Sequence, residues 1–412
     1  MQVVYTHCAG LDVHKKTVTA CVITPNQKGG TKREIRTFET HTNSLLNMLD
    51  WLLSFACTHV AMESTGEYWR PVFNILESSL EVMLVNARHV KNVPGRKTDV
   101  KDSQWLAELL QHGLLRPSFI PPLPQRNLRD LVRHRSNFVR ERSNLVNRIQ
   151  KVLEAANIKL ASVATDIMGV SGRAMLKAII AGDKNPEEMA NLAVAQMRSK
   201  QEQLKQALVG RTQPHQRFIL AQLLSQIESV EQVIKQFDSQ IEEYCHPFNQ
   251  AVQLLDTIPG VARQAALVIV CEIGIDMSRF KSAAHLAAWA GLAPGNFESA
   301  GKRLSSGTRK GNRSLRTILV QAAHAAARTN TYLAAQFRRL SARRGAKRAA
   351  IAVAHSILVI AYHLIQRNTP YSELGASYFE RHEKTHLKKK RLIKQLEQLG
   401  YQVNLEPVSV AS

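Results

Sequence analysis

The chain has 412 residues, with 44% hydrophobic and 21% charged; at roughly two to three times a typical domain, it is a folded multi-unit chain with ample core, and disorder throughout is excluded. Fifty-five Lys and Arg against 33 Asp and Glu leave a formal charge of +22, which points to a polyanionic partner and salt-sensitive binding. Five scattered cysteines (Cys8, Cys21, Cys57, Cys245, Cys271) include no CxxC pair, which excludes a zinc ribbon and a disulfide scaffold.

The amino end, MQVVYTHCAGLDVHKK, has no basic segment leading into an apolar stretch, so no secretory signal is expected. Residues 1–124 are predicted to be α/β. VVYTHCAGLDV and TVTACVITP are β-branched runs separated by the turn-like His14-Lys15-Lys16, which suggests a hairpin. A third strand is expected at Glu34–Glu39 and a helix over Ser44–Phe55. Then come a short strand, HVAMES, a helix around Glu67–Ser78, a strand, EVMLVN, and a helix, DSQWLAELLQ. Three early strands followed by alternating helix and strand is the order of ribonuclease-H-like domains. Pro117, Pro121, Pro122 and Pro124 mark its end.

Residues 125–247 are predicted to be long helices. Leu131, Phe138, Leu145 and Val152 recur every seven residues, and the opposite face carries Arg126, Arg129, Arg133, Arg140 and Arg148. A second seam, Leu220, Leu223, Ile227, Val230, Ile234, Phe237, Ile241 and Tyr244, alternates steps of three and four. That is a coiled-coil repeat about 37 Å long. It serves either a dimer contact, the reading favoured here, or an antiparallel hairpin within one subunit. Residues 248–348 open with IPGVARQAALVI, a Pro-Gly turn between two apolar helical segments. Such a helix-hairpin-helix-like turn can offer amides to a DNA phosphate, with Arg263 beside it; Ala262 replaces the usual second glycine, and an ordinary helical turn is the equal alternative. Residues 349–412 are expected to be a helical, basic tail. No run of 18 apolar residues is uninterrupted, so no membrane span and a cytoplasmic protein are expected.

Charge is concentrated late. Ser299–Arg348 holds 13 Lys/Arg and no Asp or Glu, whereas a merely solvated surface mixes signs; nucleic-acid contact is expected here. Lys302, Arg303, Arg309, Lys310, Arg313 and Arg316 are its candidate phosphate ligands. Trp51, Trp69, Trp105 and Trp289 fall in helical or apolar runs and are assigned to the core. His382 and His386, in HEKTH, are assigned to the surface. No Walker motif is present.

In the first domain Asp12 ends one apolar β run, Glu63 follows another, and Asp99 and Asp102 stand three apart in KTDVKDS. Carboxylates at adjacent strand ends facing an acidic pair on a helix can hold divalent cations, which prefer hard oxygen ligands. Two such ions clamp the attacking and leaving oxygens of a phosphodiester. The plainer alternatives are a helix cap at Asp102 and an Asp99 pair with Lys97 or Lys101.

GLDVHK, MESTG and KTDVKD, followed by IPGVA, AAWAGLAP and RKGNRSLR, together resemble insertion-sequence transposases of the IS110 family, in its IS1111 branch. The resemblance spans nearly the whole chain. It implies a RuvC-like first domain with Asp12, Glu63, Asp99 and Asp102 as its acidic quartet holding Mg2+, and a C-terminal transposase domain. It also implies a catalytic serine in the Ser/Gly segment before KGN, which falls on Ser299, with Ser305 and Ser306 as alternatives. A dimer or tetramer acting on donor and target DNA is implied, as is guidance by a structured non-coding bridge RNA. The expectation is therefore a DNA recombinase that moves an insertion-sequence element through a phosphoserine intermediate. Its competitors are a two-metal nuclease or junction resolvase using water, and a non-catalytic nucleic-acid scaffold.

Overall fold

The computed structural model describes residues 2–26, 30–64, 66–87, 90, 102–182, 184–295, 297–299, 302–305, 307–308, 310–381 and 385–403. The chain divides into two compact units, Met1–Pro121 and Pro122–Ser412.

The first unit is a five-stranded sheet in the order β3-β2-β1-β4-β5. Strands β1 (Cys8–Val13), β2 (Thr17–Pro25) and β3 (Thr31–Glu39) form an antiparallel meander. Strands β4 (His59–Glu63) and β5 (Glu81–Val85) then join β1 in parallel. The turn at His14–Lys16 closes the expected hairpin, with Cys8 opposite Ile23 and Val13 opposite Val18. β3 starts earlier than its apolar residues suggest, because Lys32, Arg33, Glu34 and Arg36 occupy an edge strand where charge discourages further pairing.

Period-two alternation sorts the sheet's side chains onto two faces. Ala9, Leu11, Val13, Val60 and Met62 join the core closed by helices α1 (Thr42–Ser54) and α2 (Trp69–Leu76). Cys8, Cys21, Ile23, Ala61 and Val85 face helix α3 (Asp102–Gln111), packing with its Trp105, Leu106, Leu109 and Leu110.

The second unit begins with α4 (Leu123–Ala155), followed by α5 (Val170–Ala181) and α6 (Pro214–Cys245), with short helical turns between them. Arg135 pairs with Asp238, Phe138 meets Phe237 and Arg142 pairs with Glu231. Rising numbers on α4 meet falling numbers on α6, so the two helices are antiparallel. Leu145, Ile149 and Leu153 share a core with Leu220, Leu223 and Ile227. The seam favoured above for a dimer is therefore covered from within the chain: α4 carries a matching apolar face and lies close enough in sequence to fold back. Only Tyr244, at its end, is exposed among the eight seam residues.

Further helices follow, among them α7 (Asn249–Asp256), α8 (Arg263–Ile273), α9 (Ala283–Trp289), α10 (Arg313–Ala326), α11 (Tyr332–Arg344) and α12 (Ala346–Arg367). A hairpin of β6 (Phe297–Ser299) and β7 (Lys302–Ser305) precedes α10, and α13 (Thr385–Gln398) lies near the end. A division at 348/349 would cut α12, whose Val353, Ala354, Ile357, Leu358 and Ala361 are fully buried. This helix is long and apolar enough to cross a membrane by composition, with mean hydropathy 1.7 over its best window. It packs against α7, α9, α10 and α11.

Candidate active site

Asp12 and Glu63 end adjacent parallel strands. Leu11 pairs with Met62, so the next residues, Asp12 and Glu63, stand side by side at about the 4.8 Å strand spacing. Alternation places Asp12 on the face of Cys8 and Gly10, and Glu63 on the face of Ala61, the side that α3 covers. Gly10 fixes the approach of that helix. A Cβ on Gly10 would stand 2.2 Å from the Ser103 carbonyl oxygen and 2.4 Å from the Ala107 nitrogen. Only glycine admits α3 this closely, and Asp102, exposed, is the first residue of that helix.

Asp12 accepts a contact from His14 Nε2 at 3.1 Å, a partner that two-residue spacing beside a strand end could have signalled. Asp99 lies outside the described residues. Among those described, no three His, Cys, Asp or Glu side chains are gathered into a metal-holding group. The donor chemistry of Asp12, Glu63 and Asp102 nonetheless suits a hard divalent cation, since all three offer carboxylate oxygen.

Ser299 ends β6, opposite Lys302; Glu298 pairs with Arg303, and Phe297 with Ser305. The base of the hairpin is closed by the Gly295 amide on the Gly307 carbonyl at 2.9 Å and by the Pro294–Thr308 bridge. Ser306 and Arg309 lie outside the described residues. Three residues beyond Thr308, a Cβ on Gly311 would stand 2.3 Å from the Gly291 nitrogen and 2.6 Å from the Ala290 carbonyl oxygen. At Gly311 the backbone of the KGN segment therefore touches that of AAWAG. Asn312 then caps α10, its Oδ1 accepting the Leu315 amide at 3.1 Å.

The candidate cations divide. Lys310 and Arg313 are exposed and Arg316 is half-buried; Lys302 and Arg303 lie on β7. Arg263 opens α8, but its Nη2 lies 2.7 Å from both carboxylate oxygens of Glu242, which raises its pKa further and competes with any phosphate. The turn glycine, Gly260, has φ +84° and its Cβ would meet the Ala322 carbonyl oxygen at 2.4 Å, so packing on α10 already requires glycine there. Individual residues not nominated from sequence stand at the α11–α12 corner. Arg338, Arg339, Arg343, Arg344, Lys347 and Arg348 are all exposed there.

The cysteines are buried, and burial pushes Cys8 and Cys57 up to about 12 and Cys21 up to about 11. They are inert thiols. Trp51 and Trp69 pack on the first core and Trp105 on the second, while Trp289 meets Phe280.

Two family profiles match in the same order as these two sites. One, described as a transposase and belonging to the DEDD domain of IS110 elements, covers residues 9–158. The other, described as "Transposase IS116/IS110/IS902 family", covers residues 252–338. The chain belongs to the IS110 family of insertion-sequence transposases. Like other IS110-family members, it is a DNA-recombining enzyme. It is 25% identical to the Coxiella burnetii "Transposase for insertion sequence element IS1111A" over 320 residues, covering 76% of this chain and 79% of that protein. A "Probable family 20 transposase" of Pseudomonas aeruginosa is also 25% identical over 320 residues, 76% of this chain and 85% of the relative. The "Pilin gene-inverting protein" of Moraxella bovis is 33% identical over 148 residues, 34% of this chain and 45% of that protein.

Proposed function

We propose that this IS110-family transposase excises and inserts its element by serine-mediated strand exchange, with a RuvC-like acidic domain acting on the same phosphodiester chemistry. The observation that supports the reading is that Asp12 and Glu63 end neighbouring parallel strands on the sheet face covered by α3, the helix that Asp102 opens and Gly10 admits closely. The sheet order, an antiparallel meander extended by two parallel strands, supports the ribonuclease-H-like assignment.

Asp12, Glu63, Asp99 and Asp102 would hold Mg2+, which when bound supplies charge neutralisation to a phosphate. His14 orients Asp12. The Ser299 hydroxyl oxygen attacks phosphorus, the bond to the 3′-oxygen breaks, and the serine proton ends on that departing oxygen. The phosphoserine link keeps the bond energy for rejoining. Lys302, Arg303, Arg309, Lys310, Arg313 and Arg316 offset phosphate charge, and the α11–α12 corner tracks the backbone of donor or target DNA. Base recognition falls to a bridge RNA, which suits a wide basic surface without a compact base-reading motif. The working particle is a cytoplasmic dimer or tetramer.

The test is a nicked duplex carrying the element's junction. Wild type should leave a covalent protein–DNA adduct on a denaturing gel, and Ser299→Ala should leave none. Normal cutting by Ser299→Ala would instead favour the two-metal nuclease with water as nucleophile. Asp12→Asn and Asp102→Asn should lose cleavage yet retain binding; unaffected cleavage would sink the role of the acids. Sequencing the nucleic acid that co-purifies tests the RNA, and light scattering tests the oligomer.

A further inference from the structure

Glu272, 1% exposed, is the one charged residue that is buried among the described residues. Four polar groups surround its end of α8. Arg133 Nε and Nη2 each donate to a carboxylate oxygen at 2.8 Å. Asn312 Nδ2 donates at 2.6 Å, and Arg129 Nε lies 3.5 Å away. Arg129 also donates to the carbonyls of Cys271 at 3.1 Å and Glu272 at 2.9 Å, and Gln125 donates to Cys271 at 2.9 Å. Two α4 side chains thus satisfy the last carbonyls of α8, where positive charge is also favourable.

We infer that Glu272 is a positioning residue for the serine-bearing hairpin, binding the KGN turn to α4 through Asn312 and Arg133. The inference rests on the reading that β6–β7 carries the reacting serine. Its geometric links are three. The hairpin base ends at Thr308, Gly311 is wedged against Gly291, and Asn312 is held at both ends of its amide. One end caps α10; the other reaches Glu272. An aspartate at 312 could cap but would face a second carboxylate, and a serine could cap but falls short of Glu272. Stability alone is a poor account of such a cluster, because apolar replacements of buried ion pairs are often neutral or stabilising. A fixed direction for the turn is what the cluster supplies. Burial by itself would raise the Glu272 carboxyl, but the Arg133 hydrogen bonds and the charges of Arg129 and Arg133 outweigh it and hold the group below its ordinary range. Burial likewise pushes Arg129 down to about 10.

The test uses the full chain and hydrogen–deuterium exchange, with junction cleavage measured in parallel. Glu272→Gln and Asn312→Asp should each speed exchange across 294–312 by about tenfold, leave 160–180 unchanged, and slow cleavage more than DNA binding. The double variant Glu272→Gln/Asn312→Asp exchanges amide for carboxylate across the same hydrogen bond. It should restore both protection and cleavage to within about threefold of wild type. Singles that match wild type, or a double that is no better than its singles, overturn the inference. Should a single variant unfold the unit, Asn312→Ser decides: it keeps the α10 cap and loses only the Glu272 contact, so wild-type protection at 294–312 would refute the positioning role. Ser299→Ala is run alongside. If it cleaves normally the serine reading falls, whatever the exchange data show; if it is dead and rescue fails, only the Glu272 inference falls.

Discussion

The acid-bearing face of the first unit and the KGN turn of the second solve one problem by different means. Both depend on a glycine whose Cβ would strike backbone, Gly10 against Ser103 and Gly311 against Gly291. Around Gly10 the neighbours are apolar, and the carboxylate of Asp12 remains partly open to solvent. Around Gly311 the nearby carboxylate, Glu272, is sealed and neutralised by arginines. On the proposed reading the acid offered to a cation stays accessible, while the acid that holds position can be buried, because two guanidinium groups answer its charge.

That contrast can be broken most severely at Glu272. Glu272→Ala should cost the second unit about 3–5 kcal/mol by stranding Arg129 and Arg133, read as a lower urea midpoint. Next in size are the wedges. Gly10→Ala and Gly311→Ala should each cost about 1–3 kcal/mol by overpacking, and each should abolish junction cleavage; a Gly10→Ala protein with unchanged stability would mean that α3 can slide. A smaller, graded effect is expected from pH. The folded pKa of Glu272 lies below its ordinary range, so its contribution is complete at neutral pH and fades as pH falls through and below the carboxylate range. The acid limb of a stability–pH curve should flatten in Glu272→Gln. Smallest of all, Arg142→Ala removes a half-exposed pair with Glu231 on the α4–α6 surface and should cost at most about 1 kcal/mol. A larger loss would show that the helical pair leans on charge rather than on its apolar seam.

The first unit was largely legible from sequence. Strands β2, β4 and β5 and the helices between them fall close to where alternation and β-branched runs put them, because a strand's identity is written within five or six neighbouring residues; β1 begins only at Cys8, five residues into the run that suggests it. The seam on α6 was equally legible as a seam. Its partner was not, since a heptad face accepts any complementary apolar stripe, and α4 reaches it first. Among the site residues, Asp12, Glu63 and Asp102 were visible as acids at element ends, whereas Gly10 was only one more glycine. The sequence puts Arg263 beside a turn that could meet a phosphate; its pairing with Glu242, 21 residues away, follows from how α6 and α8 pack.

Glu272 is the sharpest case. In the sequence it merely interrupts an apolar run; in the fold it meets Arg133, 139 positions earlier, and Asn312, 40 positions later. Element type, the basic charge and the order of the acidic and KGN motifs were thus settled by the sequence itself, since they depend on local periodicity and composition. Which face each acid occupies, which backbones touch at Gly10 and Gly311, and which carboxylate is buried were decided by tertiary packing, because those contacts join segments whose mutual position no local pattern encodes.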